Sequence, residues 1–196
     1  MANVLDPPGE TPNIAKWAQV LQACLCDAFS SEGRPVCRCS LVPGLTAAWD
    51  KCCECDCDSE GQAWVSIPRI YPSGSRDAPF PAQQTSAFRC GTALLAVELE
   101  LGVLRCSQAL GIDGEPPSAE RLQFEAVRAL QDHQTMLRAV LCCFIGGFYP
   151  SSSPWVLGEW TPLGPQGGCT GGSMRLTIST GPIPPADSAG VPCGDC

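Results

Sequence analysis

Gly91-Thr-Ala-Leu-Leu-Ala-Val-Glu-Leu-Glu-Leu-Gly-Val-Leu-Arg-Cys106 is the stretch whose reading decides the fold. Val97, Leu99, Leu101 and Val103 alternate with Glu98, Glu100 and Gly102. Side chains of a strand point alternately to its two faces, so this pattern predicts a strand with one buried face and one wet face. A strand of that kind belongs to an antiparallel sheet covered on one side only. Glu98 and Glu100 then face the same way, as two exposed carboxylates on the wet face.

Downstream, Pro116 and Pro117 stop any earlier helix, and Ser118 is placed to cap a new one, with Glu120 in its first turn. Leu122, Ala126, Val127, Leu130, Leu137, Val140, Leu141 and Phe144 form an apolar stripe that ends at Gly146-Gly147. This predicts the central core helix. Upstream, Asn13 can cap a first helix whose stripe is Ile14, Trp17, Val20, Leu21, Cys24, Leu25 and Ala28, ending near Phe29. Short strands are expected at Val36–Val42, Thr46–Cys57 and Ala63–Tyr71. Two more are expected at Pro154–Leu163 and Ser173–Thr180, joined by a long glycine-rich connection, Gly164–Gly172.

The fold class that follows is α+β, a mostly antiparallel sheet flanked by two main helices. Residues 1–12 read as an arm, 13–180 as one domain and 181–196 as an extended tail. Within the domain, 35–60 is a cysteine-rich insertion and 72–88 a long loop suited to an interface.

The chain has 196 residues, and 44% hydrophobic against 16% charged residues supports a buried core. Twelve basic against twenty acidic residues give a net charge of −8, which disfavours a surface built to neutralise phosphates. Residues 1–12 lack a basic or apolar run, which predicts no secretory signal and synthesis in a cytosol. The longest apolar stretch, Ala139–Tyr149, is too short to span a bilayer, so no membrane contact is expected.

Fifteen cysteines include eight between Cys24 and Cys57. Cys37 and Cys39 would share one strand face; Cys53, Cys55 and Cys57 would share another, opposite Glu54, Asp56 and Asp58. Structural zinc wants paired knuckles. Cys193-Gly-Asp-Cys196 has the Cys-x-x-Cys spacing, most of the other cysteines fall as Cys-x-Cys or adjacent pairs, and no metal site is assigned. An odd count leaves at least one thiol over. Bridges from Cys24 or Cys26 to the Cys37–Cys57 region, and buried reduced thiols, both remain open.

Catalytic arrangements are equally thin. His133 is the single histidine, on the more polar side of the second helix, and a nucleophile–base pair would have no other base of that type. Gly167-Gly-Cys-Thr-Gly-Gly172 lacks the lysine of a phosphate loop, and Cys142-Cys143 reads as packing at the apolar end of a helix. No catalytic, cofactor-binding or metal-ligating residue is assigned, and the chain is expected not to be an enzyme. A cysteine-rich metal-binding or redox module is the alternative.

Four stretches together carry a family resemblance: Ala63-Trp-Val-Ser-Ile-Pro-Arg-Ile-Tyr-Pro72, Thr92–Arg105, the Ser118–Phe144 helix, and Trp160-Thr-Pro-Leu-Gly-Pro-Gln-Gly-Gly-Cys-Thr-Gly-Gly172. In element order and texture over most of Asn13–Thr180, the chain resembles the tail terminator and related neck proteins of long-tailed bacteriophages, particularly of actinobacterial hosts. The resemblance implies a virion protein, assembled in the host cytoplasm, that forms a ring, typically a hexamer. Such a ring ends the tail tube, joins it to the head-side connector or stopper protein, and leaves a channel for DNA. The implied partners are other copies of the chain, the tail tube protein and the connector. Residues 72–88, Gly164–Gly172 and the C-terminal tail are the expected contacts between subunits. The cysteine-rich segment departs from the family pattern.

Overall fold

In the order of the chain, the elements are α1 (Ile14–Ser31), β1 (Arg38–Val42), β2 (Gln62–Pro72), β3 (Leu95–Cys106), α2 (Ala119–Ile145), β4 (Trp155–Gln166) and β5 (Cys169–Ser179). They come from a computed structural model, which describes residues 14–44, 52, 61–73, 94–107, 116–145, 154–166 and 168–180. The predicted arm, the tail, nearly all of the 72–88 loop and, apart from Cys52, the Thr46–Cys57 strand lie outside these residues.

One five-stranded sheet has the order β1-β2-β3-β5-β4. The architecture is α+β as expected, but the sheet is mixed. Pairings β2–β3, β3–β5 and β5–β4 are antiparallel, while β1 runs parallel to β2, with Cys39 opposite Ala63. Parallel pairing is a relation between distant segments and leaves no mark on the alternation of either strand.

Both helices lie on one face. Trp17, Leu21, Leu25 and Phe29 of α1 and Met136, Ala139 and Val140 of α2 share one core with Val65, Val97, Leu99, Leu101, Val103, Met174, Leu176 and Ile178. The alternation of β3 and β5 therefore has the predicted phase. Burying each such Leu or Val relative to leaving it exposed stabilises by about 1.5–3 kcal/mol. Ser118 Oγ accepts from the Arg121 amide at 3.3 Å, the predicted cap of α2.

The second face of β3 is not wet, which corrects the alternation reading. Glu98 is 4% exposed and Glu100 8%. β3 is the middle strand, and arginines from both neighbours close over its carboxylates. Arg69 Nε donates to Glu98 Oε2 at 2.6 Å; Arg175 reaches Glu98 Oε1 at 3.5 Å and Glu100 Oε2 at 3.8 Å. Farther along this face Trp64, Leu104, Cys52 and Cys169 form a second, smaller apolar cluster. The register of β2 shifts between Ser66 and Arg69, where Ile67 and Pro68 stand against Leu99 alone. A proline without an amide is accommodated at such a bulge.

The Gly164–Gly172 connection is also corrected. β4 continues to Gln166 and β5 begins at Cys169, its pairing partner, with Gly168 at φ 78° just before β5. Gly171 and Gly172 serve close packing inside β5. A Cβ on Gly171 would run into the Val103 carbonyl, and one on Gly172 into the Trp160 indole.

Candidate functional site

The turn after α1 brings Arg34 beside α2, and the end of β3 brings Arg105 to the same place. Asp132 accepts from both: Arg34 Nη2 at 2.8 Å, Arg105 Nη2 at 3.1 Å and Arg105 Nε at 3.3 Å. Asp132 is 1% exposed. Arg105 also donates to the Arg34 and Pro35 carbonyls at 3.0 Å each, and its guanidinium lies 5.3 Å from the Phe29 ring centroid. A guanidinium with its donors spread over a carboxylate and two carbonyls is held rigidly.

Arg128, one turn before Asp132, donates to the Cys106 carbonyl at 2.6 Å and to Glu125 at 2.9 Å. Glu125 accepts in turn from Thr170 at 2.9 Å. The first half of α2 thus turns its polar side chains toward the sheet. Its apolar ones face solvent: Leu122 is 52% exposed, Phe124 62%, Val127 46% and Leu130 55%. This corrects the central-core-helix reading. Only the second half of α2 enters the core; in the first half polarity is inverted. The cause is the end of β3 and β5, which presents a carbonyl and a hydroxyl where an apolar helix face would leave them unpaired.

Between the two parts lies an open cleft of ≈ 500 Å³, lined by Gly33, Arg34, Pro35, Arg105, Phe124, Val127, Arg128 and Gln131. Three arginines stand there against Asp132 and Glu125, in a chain whose net charge is −8. Glu32, on the same turn, accepts from Thr135 Oγ1 at 2.6 Å and from Arg138 at 2.7 Å. The Thr135 hydroxyl, with help from Arg138, holds its carboxyl below the usual glutamate range against an opposing effect of burial. The arrangement binds by charge and apolar contact.

All but one of the described cysteines are bridged. Cys24 joins Cys143, Cys26 joins Cys39 and Cys52 joins Cys169, with Cα–Cα distances of 6.0, 5.9 and 6.1 Å. Cys37 and Cys106 are disulfide-bonded as well. The first two bridges tie α1 to α2 and to β1; the third lies in the smaller apolar cluster under Trp64. Cys26 pairs within the expected region, whereas Cys24 crosses to α2. Cys142-Cys143 is not simple packing, since Cys143 is bridged and Cys142 is an exposed free thiol. Bridged sulfurs offer no thiolate to a metal. Among the described residues no group of three or more His, Cys, Asp or Glu is placed to hold one.

The other residues weighed from sequence do not converge. His133 is half-buried, with its ring 5.3 Å from that of Trp160, which places it on the sheet side of α2. Glu98 and Glu100 sit on the opposite face of the sheet, neutralised by Arg69 and Arg175. Cys193 and Cys196 fall outside the described residues. Sequence reasoning missed Arg34, Arg105, Arg128 and Asp132. Polar residues at 125, 128 and 132, three to four apart between apolar ones, were the available signal.

No family model matches the chain, and no curated protein matches it.

Proposed function

We propose that this chain is a structural virion protein whose copies form a ring at the head–tail junction of a long-tailed bacteriophage, ending the tail tube and joining it to the head-side connector. The observation that carries the reading is the inverted first half of α2. A helix that turns Glu125, Arg128 and Asp132 inward and Leu122, Phe124, Val127 and Leu130 outward is made to be covered by another protein surface. A subunit of an assembly needs such a face. The element order, which resembles that of the neck proteins, supports a head–tail junction as the assembly. Net acidity suits a ring whose channel DNA passes, because like charge keeps the polyanion from adhering. Disulfides that tie α1 to both its neighbours suit a particle that works outside the reducing cytosol.

Native mass spectrometry and negative-stain microscopy of the full-length chain, alone and with purified tail tubes, test the reading. Closed oligomers of one stoichiometry, or density at the tube end, are expected. A stable monomer that neither rings nor binds tubes or connectors would sink it.

A further inference from the structure

We infer that subunits meet head to tail, with the inverted half of α2 in one copy covering the outer edge of β4 in the next. This rests on the ring-forming reading above and names the two surfaces that would make the ring.

Two features call for a partner, and they complement each other. The first is the α2 face. Leu122 and Phe124 are two positions apart on a helix, hence on opposite flanks, and Val127 and Leu130 lie between them. The apolar surface therefore wraps around the projecting side of the helix and borders the cleft of Arg34, Arg105 and Arg128. The second is β4. It is a twelve-residue edge strand, hydrogen-bonded only to β5 among the described strands. A long edge is a pairing hazard that proteins manage by covering it, commonly with a helix. On β4, Val156 is 43% exposed, and Glu159 stands exposed where the register shifts between Leu157 and Trp160. One surface thus offers apolar side chains beside arginines; the other offers an apolar side chain beside a carboxylate.

The two surfaces differ, so the contact is heterologous. A repeated heterologous contact closes into a ring when its rotation allows. An isologous contact between two α2 faces would instead leave the long outer edge of β4 uncovered in both copies.

The test uses two full-length variants, V127Q/L130Q on the helix and V156T/E159K on the edge. All four positions are exposed, and melting temperature checks that each variant folds; V127S/L130S serves if the glutamine pair does not. Native mass spectrometry reads the outcome. Each variant alone should be monomeric at concentrations at least tenfold above those at which the natural sequence assembles. Mixed one to one, they should form a heterodimer, joining the intact helix of one to the intact edge of the other. If the helix variant assembles like the natural sequence, the surface is wrong while the ring reading stands. If the edge variant alone forms dimers, the contact is helix to helix and the head-to-tail arrangement is overturned. A natural sequence that stays monomeric with and without tail tubes removes the ring reading and this inference together.

Discussion

Arg105 and Asp132 form a two-pronged ion pair, Nη2 to Oδ1 at 3.1 Å and Nε to Oδ2 at 3.3 Å, with 6% and 1% of their side chains exposed. The pair joins the last turn of the central strand to the middle of α2, and Arg34 makes it a triad at 2.8 Å. It marks where α2 changes character: core-facing and apolar after Asp132, inverted before it.

Removing the acid from this triad should be costly. Asp132→Asn leaves two guanidiniums facing each other with no countercharge, one of them buried. Breaking a buried pair in this way costs about 3–5 kcal/mol. For a chain of this size that corresponds to a fall in melting temperature of roughly 10 °C. Differential scanning calorimetry checks it, and a fall of less than about 2 °C would mean that water already solvates the pair.

The Cys24–Cys143 bridge spans 119 residues of sequence. Constraining so long a loop in the unfolded chain stabilises the fold, by about 2–4 kcal/mol in typical cases. Cys143→Ser should lower stability by the lower part of that range, because Cys26–Cys39 still ties α1 to the sheet. Non-reducing peptide mapping should show Cys24 linked to Cys143, and chemical denaturation should show the loss. Linkage of Cys24 to any other cysteine would refute the assignment.

On the sheet face away from the helices, the Trp64 indole lies over Gly102, where a Cβ would collide with the ring. Gly102→Ala must move the indole or the strand, and overpacking of this kind costs about 1–3 kcal/mol. In a Trp64→Leu background the same substitution should cost less, since the clashing ring is gone. A double-mutant cycle measures the coupling; strictly additive effects would contradict the packing.

Much of the fold is legible in local periodicity. The α1 stripe, the β3 alternation and Met174, Leu176 and Ile178 of β5 each record which side is buried. What a periodic pattern cannot record is what lies opposite. Glu98 and Glu100 look wet until Arg69 and Arg175 arrive from neighbouring strands. The α2 stripe is real, but its direction depends on the Cys106 carbonyl and the Thr170 hydroxyl beneath it. Parallel pairing of β1 and the partner of Cys24 are likewise long-range facts with no local trace. The glycines of 164–172 look like a loop because an empty side chain leaves the same letter whether a turn or a tryptophan requires it. The candidate site was the least legible part, since its arginines and aspartate come from three separate elements.

Glu32 should make a small, pH-dependent contribution to stability. Its folded-state carboxyl titrates below the ordinary glutamate value, first because of the Thr135 hydroxyl and then because of Arg138. A depressed acid stabilises the folded form above its unfolded value. That contribution is lost as pH falls through the lower, folded value. The side chain is 24% exposed and Arg138 is 66% exposed, so screening keeps the contribution below about 1 kcal/mol. Glu32→Gln should therefore be less stable than the natural sequence near neutral pH, and the difference should vanish on acidification below the ordinary glutamate range. Urea melts of both proteins at several pH values measure this. A difference that grows on acidification would reverse the sign and show that the folded state prefers the protonated acid.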